Sequence, residues 1–202
     1  AYWALVTRMD RMVGEIINTL KENHLAENTL IIYSTDHGEQ AGERGLWWKQ
    51  TFFDESAKVP LILSWPGVLP EGKRCDRVVS TLDLNATMLD ALQAPPLPKS
   101  HGRSLLPLLT QEKATWEDIA YSEFCGHEKD YVQRMIRKDE WKLIFFLGHR
   151  CQLFNLQEDP EELNDLAEDP QYESVRKELT KLILTDWDPN RILQSLKGKK
   201  EE

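Results

Sequence analysis

The feature that most constrains the fold is a long amphipathic segment followed at once by a short β-branched run. From Tyr2 to Glu22, apolar residues recur at spacings of three and four, which predicts a helix with one buried face. Residues 29–34, Thr-Leu-Ile-Ile-Tyr-Ser, predict a buried strand. A helix leading directly into such a strand is typical of an α/β unit built on a parallel sheet.

The next stretch predicts a functional loop between two strands. Residues 35–56 are polar, interrupted by glycine and rich in ionisable groups, with a helical turn expected after Phe52. Long loops of this kind inside compact domains are usually functional. A second strand is expected over residues 59–65, and a helix over 83–92 with Thr81 or Asp83 near its cap.

The composition changes near residue 112, and a smaller unit is expected beyond it. Four short strands are predicted over residues 119–124, 132–137, 141–146 and 151–156, joined by tight turns as an antiparallel meander. A helix over 172–184 can cover one face of this sheet, and residues 197–202 form a frayed tail. The chain is therefore predicted to be α/β over residues 1–112, followed by a small α+β subdomain over 113–202.

Charge and composition exclude several classes of partner. The net charge of −9 argues against nucleic acid, because phosphate binding needs a basic face. No apolar run approaches the roughly 18–20 residues that span a bilayer, so no membrane segment is expected. The three cysteines, Cys75, Cys125 and Cys151, are widely spaced without a CxxC pair and are predicted to be mostly or all free thiols.

The strongest local signal is Asp36-His37-Gly38, just past the end of the first predicted strand. Ligands of open α/β sheets bind at that edge. A carboxylate and an imidazole placed there can hold a divalent cation, while Gly38 lets the chain turn close to it. The alternative is an Asp-capped loop containing a hydrogen-bonded histidine.

Lys49 follows thirteen residues after Asp36 and directly after two tryptophans. A lysine held beside aromatic side chains can offer a fixed positive charge to an anion. The alternative is a surface lysine whose aliphatic stem packs on tryptophan.

Several stretches of the chain combine into a specific pattern. They are Val6-Thr7-Arg8-Met9-Asp10 in the first helix, Ser34-Thr35-Asp36-His37-Gly38-Glu39, Gly42-Glu43-Arg44-Gly45-Leu46-Trp47-Trp48-Lys49, Phe52-Phe53-Asp54-Glu55-Ser56, Val59-Pro60-Leu61-Ile62, and Leu153-Phe154-Asn155-Leu156 with the acidic segment after it. Together they resemble the formylglycine-dependent sulfatases of the alkaline phosphatase superfamily, over nearly the whole chain.

The resemblance implies a fold and roles for three residues. The first portion would be part of an alkaline-phosphatase-like sandwich with a mixed or parallel sheet. Asp36 and His37 would be the late pair of metal ligands, and Lys49 would contact the sulfate group. The implied ion is Ca²⁺, with Mn²⁺ or Mg²⁺ as alternatives, because imidazole suits transition metals while calcium prefers oxygen.

The chain departs from the family pattern at the nucleophile. The family uses a cysteine oxidised to formylglycine within Cys-x-Pro/Ala-x-Arg, and none of the three cysteines has that context. The resemblance therefore implies a C-terminal portion, inactive alone, whose intact protein cleaves sulfate esters by metal-assisted attack of a formylglycine hydrate. A portion of this kind is expected to expose core surface and to form homo-oligomers through that surface or through the C-terminal tail.

The substrate is expected to be a small-molecule or carbohydrate sulfate ester. The Trp-Trp-Lys stretch and Trp187-Asp188-Pro189 look similar to choline-sulfatase-like members, for which Glu123, Asp186 or Asp188 could face a quaternary ammonium. Ordinary surface acids are the alternative. Two other functions stay open: a phosphonate monoesterase or phosphodiesterase of the same superfamily, and a non-catalytic binding or assembly module. The compartment is left open by the sequence.

Overall fold

The computed structural model describes residues 2–111, 113–125 and 131–198. Helix α1 spans Tyr2–Glu22, as predicted. The apolar face of α1, however, was predicted to be buried and is not: Trp3 is 81% exposed and Ile16 63%. The side chain of Met9 does receive a hydrogen bond from the Tyr33 hydroxyl at 3.6 Å, but α1 contains no buried residue.

The first two strands pair in the direction opposite to the one expected. Strand β1 (Ile31–Tyr33) and strand β4 (Ile62–Ser64) are antiparallel, with Ile32 opposite Leu63. The expectation of a parallel sheet is therefore wrong for this pair. The reason is that the connection leads from the end of β1 straight into β4 at the same edge of the sheet. Parallel neighbours need a crossover that first returns the chain to the opposite edge.

That connection contains a small hairpin and a short helix. Strands β2 (Gln40–Ala41) and β3 (Trp47–Trp48) pair antiparallel, and helix α2 spans Asp54–Ala57. The helical turn expected after Phe52 is thus confirmed, while the hairpin is an addition. Gly42 and Gly45 turn the hairpin with positive φ angles of 113° and 70°, which side chains disfavour.

Helix α3 (Thr81–Ala91) begins two residues earlier than expected and is capped by Ser80. The Ser80 hydroxyl accepts a hydrogen bond from the amide of Leu82, and the Asp83 carboxylate accepts one from the amide of Ser80. This reciprocal arrangement is a capping box. A short helix, α4 (Leu106–Thr110), follows.

The predicted meander is confirmed, and the first and last residue of each strand lie within one position of those expected. Strands β5 (Ile119–Cys125), β6 (Val132–Lys138), β7 (Trp141–Phe146) and β8 (Gln152–Asn155) form an antiparallel sheet in that order. Asp139 reverses the chain between β6 and β7 with a φ of 51°.

Two helices cover one face of this sheet. Helix α5 (Glu173–Leu184) matches the prediction, and helix α6 (Pro189–Gly198) was not predicted. Residues 199–202 of the expected tail lie outside the described residues. The core on this face consists of Val132, Ile136, Leu143, Leu153, Ala167, Leu179, Ile183 and Trp187.

The opposite face of the sheet packs against the loop that follows β1. Phe52 joins Met135, Ile144 and Phe154 in a second buried cluster. This cluster crosses residue 112, so the two predicted units share a packed interface, and the boundary itself stays a prediction. Among the described residues, no helix has both the length and the apolar composition needed to span a bilayer.

Candidate active site

Asp36 follows β1 at the edge of the first sheet, where its carboxylate is held by its neighbours. Its Oδ1 accepts hydrogen bonds from the Thr35 hydroxyl at 3.1 Å and from the His37 amide at 3.0 Å. The bond from Thr35 is the largest influence and lowers the pKa of Asp36 below its ordinary value. The side chain remains 81% exposed, so its second oxygen is available to a ligand.

The imidazole of His37 is oriented by the backbone beside it. Nδ1 lies 2.8 Å from the carbonyl oxygen of Gly38, which can only accept, so Nδ1 carries the hydrogen. Nε2 therefore presents its lone pair to the site. Asp36 Oδ2 lies 3.4 Å from that atom.

Lys49, which follows β3, reaches the same point in space. Its Nζ lies 2.7 Å from Nε2 of His37 and donates a hydrogen bond to it. The structure thus brings together all three residues that the sequence singled out as metal ligands and anion contact. The tryptophans before Lys49 are largely exposed, with Trp47 at 67% and Trp48 at 72%.

Gly38 fixes the position of this constellation against α2. Its amide donates a hydrogen bond to the carbonyl of Ser56 at 2.8 Å. A Cβ atom at residue 38 would lie 1.9 Å from the carbonyl oxygen of Glu55, a distance that no packed structure tolerates. Glycine is required here by close backbone approach, and this contact sets the ligand loop on the end of α2.

The three residues line one wall of a pocket of about 650 Å³. The pocket continues past Cys75 and Arg77 to the sheet of the C-terminal half, where Glu123 and Arg137 line it. It is therefore built from both predicted units. All three cysteines are free, as expected.

Glu123 lines the pocket but is already engaged by the protein. Its carboxylate accepts a hydrogen bond from Trp187 Nε1 at 3.1 Å and lies 3.4 Å from Nε of Arg134. The Arg134 guanidinium lies 4.4 Å from the ring centre of Tyr121 and 2.7 Å from Asp186. The guanidinium of Arg134 therefore already occupies the place beside Glu123 and Asp186 where a quaternary ammonium was expected to bind.

Asp188 has a local structural role. Its carboxylate accepts hydrogen bonds from the amides of Asn190 and Arg191 at 3.0 and 3.1 Å. It therefore caps the N-terminus of α6.

The donor set at Asp36 and His37 fits part of the coordination shell of a divalent cation. Two ligand atoms about 2.3 Å from one ion, at right angles to each other, lie roughly 3.3 Å apart, and Oδ2 and Nε2 are 3.4 Å apart. Within the residues that the structure describes, no three His, Cys, Asp or Glu side chains come together as a metal site.

A protein-family model matches most of the chain. The model of the C-terminal domain of N-sulphoglucosamine sulphohydrolase matches residues 42–187. This chain belongs to the sulfatase family.

Curated relatives of the sulfatase chain include enzymes from bacteria and animals. It is 34% identical over 175 residues to choline-sulfatase of Rhizobium meliloti, covering 84% of this chain and 33% of that protein. It is 36% identical over 177 residues to human arylsulfatase K, covering 82% of this chain and 33% of that protein. The chain thus spans about a third of the length of the curated relatives it matches.

Solved structures confirm the fold class expected from the sequence. The phosphonate monoester hydrolase of Agrobacterium radiobacter superposes with a TM-score of 0.82 at 30% identity, over 91% of this chain and 40% of that one. A protein solved with its substrate D-glucosamine-2-N,6-O-disulfate gives a TM-score of 0.81 at 25% identity, over 96% of this chain and 40% of that one.

The sequence did not reveal a buried charged cluster that lies in the same pocket as Asp36, His37 and Lys49. Lys142, on β7, is 1% exposed and forms ion pairs with Asp54 and with Glu162, the latter at 2.6 Å. In sequence, Lys142 looks like any lysine in a strand. The usable signal was its place between Trp141 and Leu143 in a strand that is otherwise apolar.

Proposed function

We propose that this chain supplies the late pair of metal ligands and the sulfate-binding lysine of an enzyme that hydrolyses sulfate esters. The observation that carries the proposal is that His37 Nε2 lies 3.4 Å from Asp36 Oδ2 and 2.7 Å from Lys49 Nζ on one wall of the pocket. Lys49 is twelve residues from His37 and thirteen from Asp36, yet the three side chains lie together. The alternatives, a solvent-facing lysine and an Asp-capped loop, would not require this.

Each residue has a distinct role in this proposal. Asp36 offers an anionic oxygen and His37 an imidazole nitrogen to a divalent cation. A cation held there would polarise the oxygens of the sulfate group. Lys49, a compact positive charge beside that position, binds the sulfate and offsets the charge that develops in the transition state.

Ca²⁺ is the proposed ion. Carboxylate oxygen is its preferred ligand, and Asp36 keeps a free oxygen in the site. Because an imidazole also favours transition metals, Mn²⁺ and Mg²⁺ are the alternatives that metal analysis of the purified protein would separate. The nucleophile, a formylglycine in this proposal, lies outside the 202 residues.

The proposed substrates are sulfate esters of small molecules or carbohydrates. Among the relatives, one is a choline-sulfatase and one structural neighbour was solved with a sulfated glucosamine. The engagement of Glu123 and Asp186 by Arg134 argues against using these acids for a quaternary ammonium. A sulfated carbohydrate is therefore the better-supported class.

A second function is favoured by one observation. The structure superposes on a phosphonate monoester hydrolase at least as well as on the sulfated-glucosamine enzyme, with TM-scores of 0.82 and 0.81. A phosphonate monoester presents a similar tetrahedral anion to Lys49. A non-catalytic binding or assembly role is less well supported, because it would need no convergence of Asp36, His37 and Lys49.

The deciding experiment compares substrates on the natural polypeptide that contains this chain. We expect kcat/KM for an aryl sulfate to exceed that for the matching aryl phosphonate, and Lys49→Ala to lower the larger of the two. The isolated 202-residue chain serves as a blank and should show no turnover, because it brings together only two ligands and one lysine. A higher kcat/KM for the phosphonate would support the second function, and no effect of Lys49→Ala on either would refute the site.

A further inference from the structure

The loop that carries Lys49 is tied at both ends to one dipeptide of the C-terminal half. Arg44 and Asp54 each lie five residues from Lys49. The guanidinium of Arg44 donates a hydrogen bond to the carbonyl oxygen of Glu161, and the amide of Asp54 donates one to the Glu162 carboxylate at 2.6 Å. Two consecutive residues therefore close the loop 44–54 across its base.

The tie at Asp54 is buried and strongly charged. Lys142 pairs with the carboxylates of Glu162 and Asp54 and also donates a hydrogen bond to the carbonyl of Phe52 at 3.1 Å. Glu162 is 3% exposed. Breaking one partner of such a group leaves an uncompensated buried charge, so the arrangement holds the chain in one geometry.

The tie at Arg44 is reinforced by packing within the loop. Arg44 Nη1 also lies 2.7 Å from Glu55 Oε2, and its guanidinium sits 4.3 Å from the ring centre of Phe53. Phe53 in turn packs edge-on against Phe154 of β8, with ring centres 6.0 Å apart.

One residue in each of the two ties has an unfavourable backbone conformation. Arg44 and Glu162 each have a φ of 53°, in the left-handed region that residues other than glycine rarely adopt. Such conformations persist only where the surroundings fix them, and they cluster at functional sites. The strained backbone at Arg44 and at Glu162 indicates that the surrounding contacts hold the loop in one fixed conformation.

From these contacts we infer that Arg44, Glu162 and Lys142 are positioning residues that hold Lys49 at the anion site. We call this group the loop anchor. The inference rests on the proposed function, because it presumes that Lys49 binds sulfate. It adds that the C-terminal half takes part in anion binding through a fixed loop base, without touching the anion itself.

The test is made on the natural polypeptide that contains this chain, with its metal bound and with inorganic sulfate as the probe. Two variants open the anchor: Arg44→Met, which keeps an apolar stem over Phe53, and Lys142→Met, which removes the buried cation. Sulfate affinity is measured by calorimetry, metal content by elemental analysis, and amide hydrogen exchange is followed over residues 44–54.

We expect each variant to weaken sulfate binding on the order of tenfold, less than the roughly hundredfold loss in rate that a 1 Å misplacement can cause. Amide exchange over residues 44–54 should become faster, while metal content stays at the level of the parent protein. Leu179→Ala is the matched control, because it removes buried volume from α5 in the same half without contacting the loop. It should lower stability and leave sulfate affinity unchanged.

The outcomes separate the two proposals. If Lys49→Ala weakens sulfate binding but Arg44→Met and Lys142→Met do not, the loop anchor is refuted and the site survives. If Lys49→Ala itself has no effect on sulfate binding, the proposed function fails first. Should Lys142→Met not fold, Arg44→Met alone decides, since its side chain lies nearer the surface. If Leu179→Ala weakens sulfate binding equally, the effect of the anchor variants reflects a general loss of stability, and the loop anchor is refuted.

Discussion

Lys49 Nζ and His37 Nε2 lie 2.7 Å apart, so the proposed anion contact and the proposed metal ligand share one position on the pocket wall. Because Nε2 has one lone pair and accepts the hydrogen bond of Lys49, a cation bound to Nε2 would displace the ammonium, which would then be available to an anion that also touches the cation. The two residues sit on different sides of the hairpin β2–β3, and their contact depends on how that hairpin folds back.

The three site residues should respond differently to substitution in the natural polypeptide. Asp36→Ala removes an anionic ligand and should lower both metal content and turnover severely. Lys49→Ala should keep the metal and lose about 3 kcal/mol of transition-state stabilisation, as for one preorganised electrostatic contact. His37→Asn should be mildest, because an amide oxygen can replace imidazole at calcium.

Metal content and kcat/KM, measured on the same preparations, check these roles. Loss of metal in Lys49→Ala, or full metal content and activity in Asp36→Ala, would contradict the assignment.

Gly38→Ala should damage the site through the backbone rather than through chemistry. The added Cβ would meet the Glu55 carbonyl oxygen at 1.9 Å, so we expect a loss of about 2–3 kcal/mol in the free energy of unfolding together with lower metal affinity. Gly102→Ala is the control, since its Cβ would meet the Leu82 carbonyl oxygen at 2.1 Å.

Denaturant unfolding and metal titration of both variants provide the comparison. Gly102→Ala should lose similar stability but keep metal affinity. If both variants keep metal affinity, Gly38 does not position the ligands.

Asp186 should make the stability of the chain depend on pH at the acid end. The hydrogen bond from Arg134 is the main cause that lowers the pKa of Asp186 below its ordinary value, which is about 3.9 in the unfolded chain. A lowered folded-state pKa stabilises the fold above the unfolded value, and this contribution is lost as the pH falls through the folded value.

Asp186→Asn should therefore lower the free energy of unfolding at pH 7, by about 1 kcal/mol given its partial exposure. The difference from the parent chain should shrink below pH 4 (about the unfolded value). Urea unfolding at several pH values measures it, and a difference that stays constant down to pH 2 (roughly) would be inconsistent with this pairing.

The exposed face of α1 should make the isolated chain associate with itself. Trp3, Leu5 and Ile16 are each more than 60% exposed, and an apolar stripe of this kind is a typical interaction surface. We expect concentration-dependent oligomers by analytical ultracentrifugation, and a shift towards monomer in the double variant Leu5→Glu, Ile16→Glu.

Asn18→Glu on the same helix adds charge at an exposed polar position and should leave association unchanged. A monodisperse parent chain at high concentration would count against the prediction.

The sequence predicted which residues lie together better than it predicted the strand pairing around them. Asp36, His37 and Lys49 lie in a short segment, and their residue types alone suggest metal ligation and anion binding. The direction of β1 against β4 depends on how the intervening connection travels, and neither three-residue strand records that direction. Local alternation, by contrast, was enough to place β5 through β8, because each pairs with its neighbour in sequence.

Features made by distant partners escaped prediction for the same reason. Lys142 becomes a buried cation only because Asp54 and Glu162 arrive from elsewhere in the chain. The role of Arg134 in occupying Glu123 and Asp186 likewise depends on the packing of α5 and its C-terminal connection onto β6. Helix α6 was missed although Asp188 and Pro189 are typical of a helix N-terminus, because the helix is short and adjoins the chain end.

The meander order of β5 through β8 has a consequence for how the molecule assembles in time. Its pairings join strands that adjoin along the chain, and such short-range topology lowers the entropic barrier to folding. We expect the sheet with α5 to gain protection first in pulse-labelling experiments, and the Lys49 loop to settle later on this finished template. The pocket wall that carries Asp36, His37 and Lys49 would then be the last part to acquire its shape, on a surface already formed.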